Sequence, residues 1–273
     1  MTDSTSTAKL APAAGAGRGF PAVLRYVFGT RLSGVIALLA ILVLWDLSAR
    51  LGIIDLMSWP PFLDIFLRWL ELVFTGELFA HILPSLERVF WGYAAAVFVA
   101  VGLGLLIGFS RVVYNLFEPT LECLRPISVI ALIPVIILFL GLGDRMKIFI
   151  IAYACFFPIL LNTISGVRDV DPVLVGTART FGLTRLQTIF RVIVPAASPY
   201  IFTGMRISVG FSLMAMVAAE MLTGGDGIGA FILDSQRTFR VRDMYAGIIT
   251  LGVIGYALNR LFVSCERWLL RWK

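Results

Sequence analysis

Val89–Ser110 reads VFWGYAAAVFVAVGLGLLIGFS, 22 residues without a charge. An α-helix rises about 1.5 Å per residue, so a stretch of this length covers a hydrocarbon layer about 30 Å thick. Its apolar residues run continuously instead of alternating, which excludes a barrel strand and predicts a membrane helix. Five further stretches pass the same test. Leu32 to Trp45 is uncharged and continues through Asp46 and Arg50 to Ile54. Those two charges are four residues apart and can pair on one helix face. Pro126–Gly143 and Ile148–Val167 supply 18 and 20 uncharged residues. Tyr200–Leu222 carries Arg206 and Glu220 near its ends, and Met244–Cys265 is uncharged as far as Asn259.

Composition agrees with six spans. Apolar residues make up 59% and charged residues 15% of the 273, against about 45–50% and about 25% in soluble domains. The mean hydropathy is +0.92. A soluble fold of this size could not hide so much apolar surface behind so few charges. The net charge of +6 is therefore not the footprint of a nucleic-acid-binding domain and has to be apportioned loop by loop. With the N-terminus inside, the cytoplasmic segments hold 14 Lys and Arg and the opposite side holds 8; acids run the other way, 6 to 9. That bias predicts cytoplasmic termini.

Residue types exclude several chemistries. Cys123, Cys155 and Cys265 are odd in number and far apart, so they make neither a disulfide framework nor a zinc site. His81 is the only histidine and reads as a surface residue of the outer segment. No Gly-x-x-x-x-Gly-Lys-Ser/Thr loop is present to hold ATP phosphates; Gly224–Gly229 is Gly-rich without the Lys and reads as a turn. The expected organisation is a disordered basic tail over 1–31, a first span with an outer interfacial segment over 32–80, a main transmembrane domain over 81–265, and a C-terminal tail over 266–273. The interfacial segment contains an amphipathic stretch, Phe62–Phe74.

One loop, 168–198, is too long and too patterned to be a connector. Asp171 before Pro172 is a helix start, an N-cap followed by Pro at the first helical position. Val175, Ala178 and Phe181 can share a face, and Gly182 is a natural stop. A second helix can begin at Thr184 and run to Pro195. The pair reads either as an amphipathic segment resting on lipid headgroups or as a projection that a soluble partner grips.

The run Thr177-Ala178-Arg179-Thr180-Phe181-Gly182, nine residues, then Val192-Ile193-Val194-Pro195 resembles the EAA loop of ABC importer permeases. Gly176 stands where that motif carries Glu and Thr177 where it carries the first Ala; the Gly182-to-Pro195 spacing is kept. Trp45-Asp46, Ser85-x-x-Arg88, Leu124-Arg125-Pro126, Ala131-x-Ile133-Pro134, Phe157-Pro158, Thr203-Gly204-x-Arg206, Glu220 and Gly227-Ile228-Gly229 resemble the nitrate/sulfonate/taurine branch. The resemblance implies an all-α type I importer fold in a bacterial inner membrane. It implies a dimer, here of two identical chains, gripped by a cytoplasmic pair of ATP-binding subunits and served by an external solute-binding protein. It implies further that no cofactor belongs to this chain, since ATP would be used by the partner subunit, and that the chain is not itself an enzyme. The solute implied is a small anion resembling nitrate, a sulfonate or taurine. Gly176, Thr177, Ala178, Arg179, Gly182 and Pro195 would form the ATPase-coupling loop.

For the pathway, Arg206 reads as an attractor for an anion or as a side chain snorkelling to the interface. Glu220 reads as an interfacial carboxylate or a partner of Arg237 or Arg240. Asn162, Ser208 and Ser212 can face a pore or hydrogen-bond between helices, Gly104 and Gly108 permit close packing, and Pro134 and Pro158 are expected to kink their spans. Two other functional classes make demands on the spans. An ion-coupled secondary transporter needs carboxylates near mid-membrane, and Asp46 and Glu220 lie near span ends. An intramembrane enzyme needs a nucleophile–base pair, and no His lies in the spans.

Overall fold

The computed structural model describes residues 31–52 and 58–269, and every described regular element is helical. Residues 1–30 of the expected tail over 1–31, and the end of the expected C-terminal tail, 270–273, lie outside those residues. The chain divides into two compact units, 1–62 and 63–273.

In the first unit, helix α1 (Arg31–Arg50) takes up the predicted first span as far as Arg50 in 20 residues, about 30 Å; the predicted end at Ile54 lies outside the described residues. The Asp46–Arg50 pair forms at 2.6 Å. Trp45 and Trp59 stack with ring centroids 4.1 Å apart, and their indole N–H groups donate to the Pro60 carbonyl and the Ser48 hydroxyl.

The second unit is a bundle around three long helices: α3 (Glu77–Phe109), α6 (Asp144–Arg168) and α9 (Val194–Thr223). Between α3 and α6 lie α4 (Arg111–Leu124) and α5 (Val129–Leu140); α7 (Pro172–Thr180) and α8 (Arg185–Thr188) precede α9. After α9 come α10 (Ile228–Arg237) and α11 (Val241–Leu269), and α2 (Phe62–Phe74) opens the unit. Among the described residues four helical segments are long and apolar enough to cross a membrane, or five if the bent pair α4–α5 counts as one span.

The α3–α6 seam follows from small residues at helical spacing. Gly92, Ala96, Ala100, Gly104 and Gly108 recur every fourth residue and face α6. A Cβ at Gly92 would lie 2.8 Å from Ile151, one at Gly104 2.6 Å from Thr163, and one at Gly108 2.8 Å from Val167. Lipid gives helices no hydrophobic reason to associate, so close backbone approach and dispersion hold such a seam. Gly104→Val should force α3 and α6 apart and cost about 1–3 kcal/mol, read as a lowered thermal midpoint in detergent. Gly102→Val, on a face where an added Cβ meets nothing within 4 Å, is the control. Equal midpoints for the two variants would refute the seam. Beyond it, Phe98, Leu138 and Phe139 are more than four-fifths exposed, as lipid-facing side chains should be.

Four span expectations need correction. The second span starts at Glu77, not Val89: Arg88 is inside α3 and 3% exposed. The stretch Pro126–Gly143 is not one straight span. Its helix has 12 residues, about 18 Å, and meets α4 at a 97° bend. Pro126 lies in the break, where its missing N–H and ring oppose continuation of α4. The loop's second helix does not end at Pro195; it passes through a π segment (Ile189–Ile193) directly into α9. Pro195 cannot donate to Arg191, and Val194 N–H reaches back five residues to the Ile189 carbonyl instead. Finally, α11 runs beyond Cys265 to Leu269.

The amphipathic stretch is a helix over its predicted range, yet it is docked on protein rather than resting on lipid alone. Leu72, Trp69 and Val73 pack against Leu78, Ile228, Phe231 and Ala246. Arg68 pairs with Asp243 at 2.6 Å, which raises the Arg68 pKa, and the Trp69 indole donates to Thr250.

Candidate functional site

Two features stand out: a projecting helix pair and a buried charge cluster. The pair is assembled by local chemistry. Asp171 accepts a hydrogen bond from Val173 N–H at 2.8 Å and Pro172 opens α7. The helix ends in a Schellman motif, with Gly182 N–H donating to Arg179 O and Leu183 N–H to Ala178 O. Gly182 has φ +71°, a conformation that costs other residues a Cβ clash. Two residues on, Thr184 caps α8 in a reciprocal capping box with Gln187. A corner with both ends locked is stiff.

Of the expected shared face, Ala178 is buried and Val175 half-buried, but Phe181 is 79% exposed. The Schellman turn carries Phe181 away from the bundle. Val173, Leu174, Leu186 and Phe190 are exposed with it. Apolar residues in such number on a projection mark a surface built to be covered. Gly176, Thr177, Arg179 and Pro195 are exposed too, and a Cβ at Gly176 meets nothing within 4 Å.

At the ends of α3, α6 and α9 remote from that loop, Arg88 is the hub of the second feature. Its Nε donates to Asp144 Oδ1 at 2.7 Å, Nη1 to Glu220 Oε1 at 2.9 Å, and Nη2 to Asp226 Oδ1 at 2.6 Å. Glu220 has no exposed surface. Ser85 Oγ donates to Glu220 at 2.8 Å and accepts from Ile228 N–H at 3.0 Å, while Gly229 N–H donates to Glu220 Oε2 at 2.9 Å. The Gly229 amide in the first turn of α10 thus points at the carboxylate, and the Ile228 amide reaches it through Ser85, where the helix dipole favours negative charge. Gly227, φ +115°, leaves no room for a side chain: a Cβ there would collide with the Glu220 carboxylate. Lys147 Nζ donates to Gly224 O at 3.2 Å and lies 3.7 Å from Asp226.

Burial pushes the Asp226 carboxyl up, but the Arg88 hydrogen bond and charge, helped by Lys147, outweigh it and hold it below the usual carboxylate range. An unfolded Asp titrates near pH 3.9. The depressed folded value makes this contribution complete above that pH and lost as pH falls through the folded value. The thermal midpoint should therefore drop on acidification below about pH 4. Asp226→Asn should flatten that limb; an unchanged slope would rule out this source.

The four residues expected on the pathway are not brought together. Glu220 belongs to the cluster and pairs with Arg88, not with Arg237 or Arg240 as expected; Arg240 meets Asp234 and Asp243 instead. Ser208 is buried between α6 and α9, donating to the Cys155 and Gly204 carbonyls. Asn162 donates to the Pro158 carbonyl of its own helix and packs against Gly204, and Arg206 is exposed. Ser212 is buried and donates to the Val209 carbonyl. His81 is half-buried, its ring 5.0 Å from Phe231. Among the described residues no cluster of three His, Cys, Asp or Glu could hold a metal.

Residues 100–272 match the family described as the inner membrane component of binding-protein-dependent transport systems. The chain belongs to this family of ABC importer permeases. The permease is 33% identical over 242 residues to a putative aliphatic sulfonates transport permease, SsuC of Bacillus subtilis, covering 89% of this chain and 88% of that one. It is 38% identical over 186 residues to the nitrate import permease NrtB of Synechocystis, covering 68% of each. Among solved structures, the inward-facing MetNI methionine ABC transporter aligns with a TM-score of 0.59 at 16% identity, over 71% of this permease and 94% of that chain. At that identity the likeness establishes the fold, a type I importer permease.

In the sequence Ser85 and Arg88 stand out only as motif positions, and nothing local marks Asp144, Lys147 or Asp226 as their partners. A signal was available: Ser85, Arg88 and Gly92 share one face with the small-residue seam. Beginning the span at the last charge hid it.

Proposed function

We propose that this permease forms the membrane pathway of a bacterial ABC importer for a small oxyanion such as nitrate or a sulfonate. It works as a homodimer with two cytoplasmic ATP-binding subunits and an external solute-binding protein. Each chain crosses the inner membrane six times, α1 being the first span and α4–α5 jointly the third, with both termini in the cytoplasm. The loop 168–198 is the coupling element. The observation that carries this is the stiff, capped corner at Gly182 with Phe181, Leu174, Leu186 and Phe190 exposed around it. A partner groove that seats this corner moves it as a rigid body, and α8 is continuous with α9, so the motion reaches the membrane core.

The oxyanion class is supported by the named transport roles of the sulfonate and nitrate relatives. ATP is hydrolysed by the partner, and the permease brings no cofactor of its own. Reconstitution with the cognate ATPase and binding protein tests the reading. Nitrate or an alkanesulfonate should stimulate ATP hydrolysis and drive uptake, and an inactivated nucleotide site in the partner should abolish both. Uptake driven by an ion gradient without ATP would overturn it in favour of a secondary transporter.

A further inference from the structure

Behind the coupling corner lies a cavity of about 890 Å³ whose lining is unusual for a membrane protein. Four arginines from four elements reach it: Arg111 at the start of α4, Arg168 at the end of α6, Arg179 in α7 and Arg185 at the start of α8. No acidic residue lines it. Among the described residues none of the four is ion-paired with a carboxylate, whereas Arg68, Arg88 and Arg240 each are. Arg168 is instead placed over the Tyr114 ring, its guanidinium carbon 3.6 Å from the centroid.

Four like charges around one cavity repel each other, and no carboxylate among the lining residues offsets them. We infer that this cavity binds a phosphate group. Guanidinium forks match tetrahedral phosphate oxygens in paired hydrogen bonds, and Arg is the residue of choice where that geometry matters. A phosphomonoester, carrying between one and two negative charges, offsets four guanidiniums better than nitrate does; a phospholipid headgroup carries a single charge and competes through the tetrahedral geometry of its phosphate oxygens. The volume exceeds an inorganic ion and fits a phosphomonoester or the headgroup of an anionic phospholipid. Because the four arginines sit on the bundle ends and on both helices of the corner, a bound phosphate ties the corner to α4 and α6. It thereby sets how freely the corner moves. That consequence rests on the coupling reading above; the binding does not.

The test uses the full-length permease alone, delipidated in a neutral detergent, with the thermal midpoint as readout. Inorganic phosphate is titrated at constant ionic strength against chloride and nitrate, and short-chain phosphatidylglycerol against phosphatidylcholine. Phosphate or phosphatidylglycerol should raise the midpoint saturably where its control does not. Response to free phosphate identifies a soluble ligand; response to phosphatidylglycerol alone identifies a lipid headgroup. Arg111→Gln with Arg168→Gln should weaken apparent affinity about tenfold or more. If that variant does not fold, Arg111→Lys with Arg168→Lys keeps the charge but loses the forks, and should still bind severalfold more weakly. Stabilisation no greater than by chloride, equal stabilisation by nitrate, or unchanged affinity in the variants would overturn the inference. So would a missing anion effect in a chain whose Gln variant loses ATPase binding, since the arginines would then serve the protein partner.

Discussion

Arg88→Met should be the most damaging single substitution in the bundle. Removing the guanidinium leaves Glu220, with no exposed surface, facing one hydroxyl and one amide. Stranding one member of a buried ion pair costs about 3–5 kcal/mol, a large share of the stability of most folds. Asp144 and Asp226, both more than half exposed, can turn to water and contribute little of that loss. Glu220→Gln tests the other side of the pair. The amide keeps an oxygen for Gly229 N–H, and Arg88 keeps Asp144 and Asp226, so the cost should be about 1–2 kcal/mol. Replacing both residues by Met removes the stranded charge and should recover part of the Arg88→Met loss. Thermal midpoints of the purified variants give the order. If Arg88→Met were no worse than Glu220→Gln, α3, α6, α9 and α10 would not be held by this charge lock.

The cluster also marks where sequence reading ran out. Continuous apolar runs located α3, α6, α9 and α11, because a membrane helix needs about 20 such residues and little else competes with that signal. The same rule misplaced boundaries wherever a charge was buried by pairing. A charge at Arg88 predicts a span starting at Val89, yet Arg88 lies inside the helix, neutralised by carboxylates 56 to 138 residues away in sequence. No local pattern contains those partners. The broken third span failed for another reason. Eighteen uncharged residues satisfy the length rule, but Pro126 and the left-handed Gly141 at φ +72° restrict the helix to 12 of them. The loop corner was the most legible feature, since caps and stops are written within four residues of where they act. What it could not reveal was the π segment that joins the corner to α9, because that depends on how the backbone relieves Pro195.

Gly182→Val should abolish transport while leaving the bundle intact. The φ of +71° at Gly182 is a conformation a β-branched residue adopts only at a cost of about 1–2 kcal/mol. An added Cβ meets no neighbour within 4 Å, so the penalty is purely conformational and nothing in the bundle is displaced by bulk. To escape it the backbone must leave the left-handed region, which breaks both Schellman hydrogen bonds and turns α7 against α8. The buried α3–α6 and α6–α9 contacts lie elsewhere, so membrane insertion and the thermal midpoint should change little. The exposed set Leu174, Phe181, Leu186 and Phe190 would no longer present one surface, and binding of the ATP-hydrolysing subunit should fall at least tenfold with loss of solute-stimulated hydrolysis. Gly182→Asn is the discriminating companion, because Asn enters the left-handed region more readily than other side chains. It should retain most of the binding that Val loses. Full ATPase association by Gly182→Val would mean that the corner's geometry is not what the partner reads. Loss in both variants alike would point to the absence of any side chain, rather than the backbone conformation, as the requirement at this position.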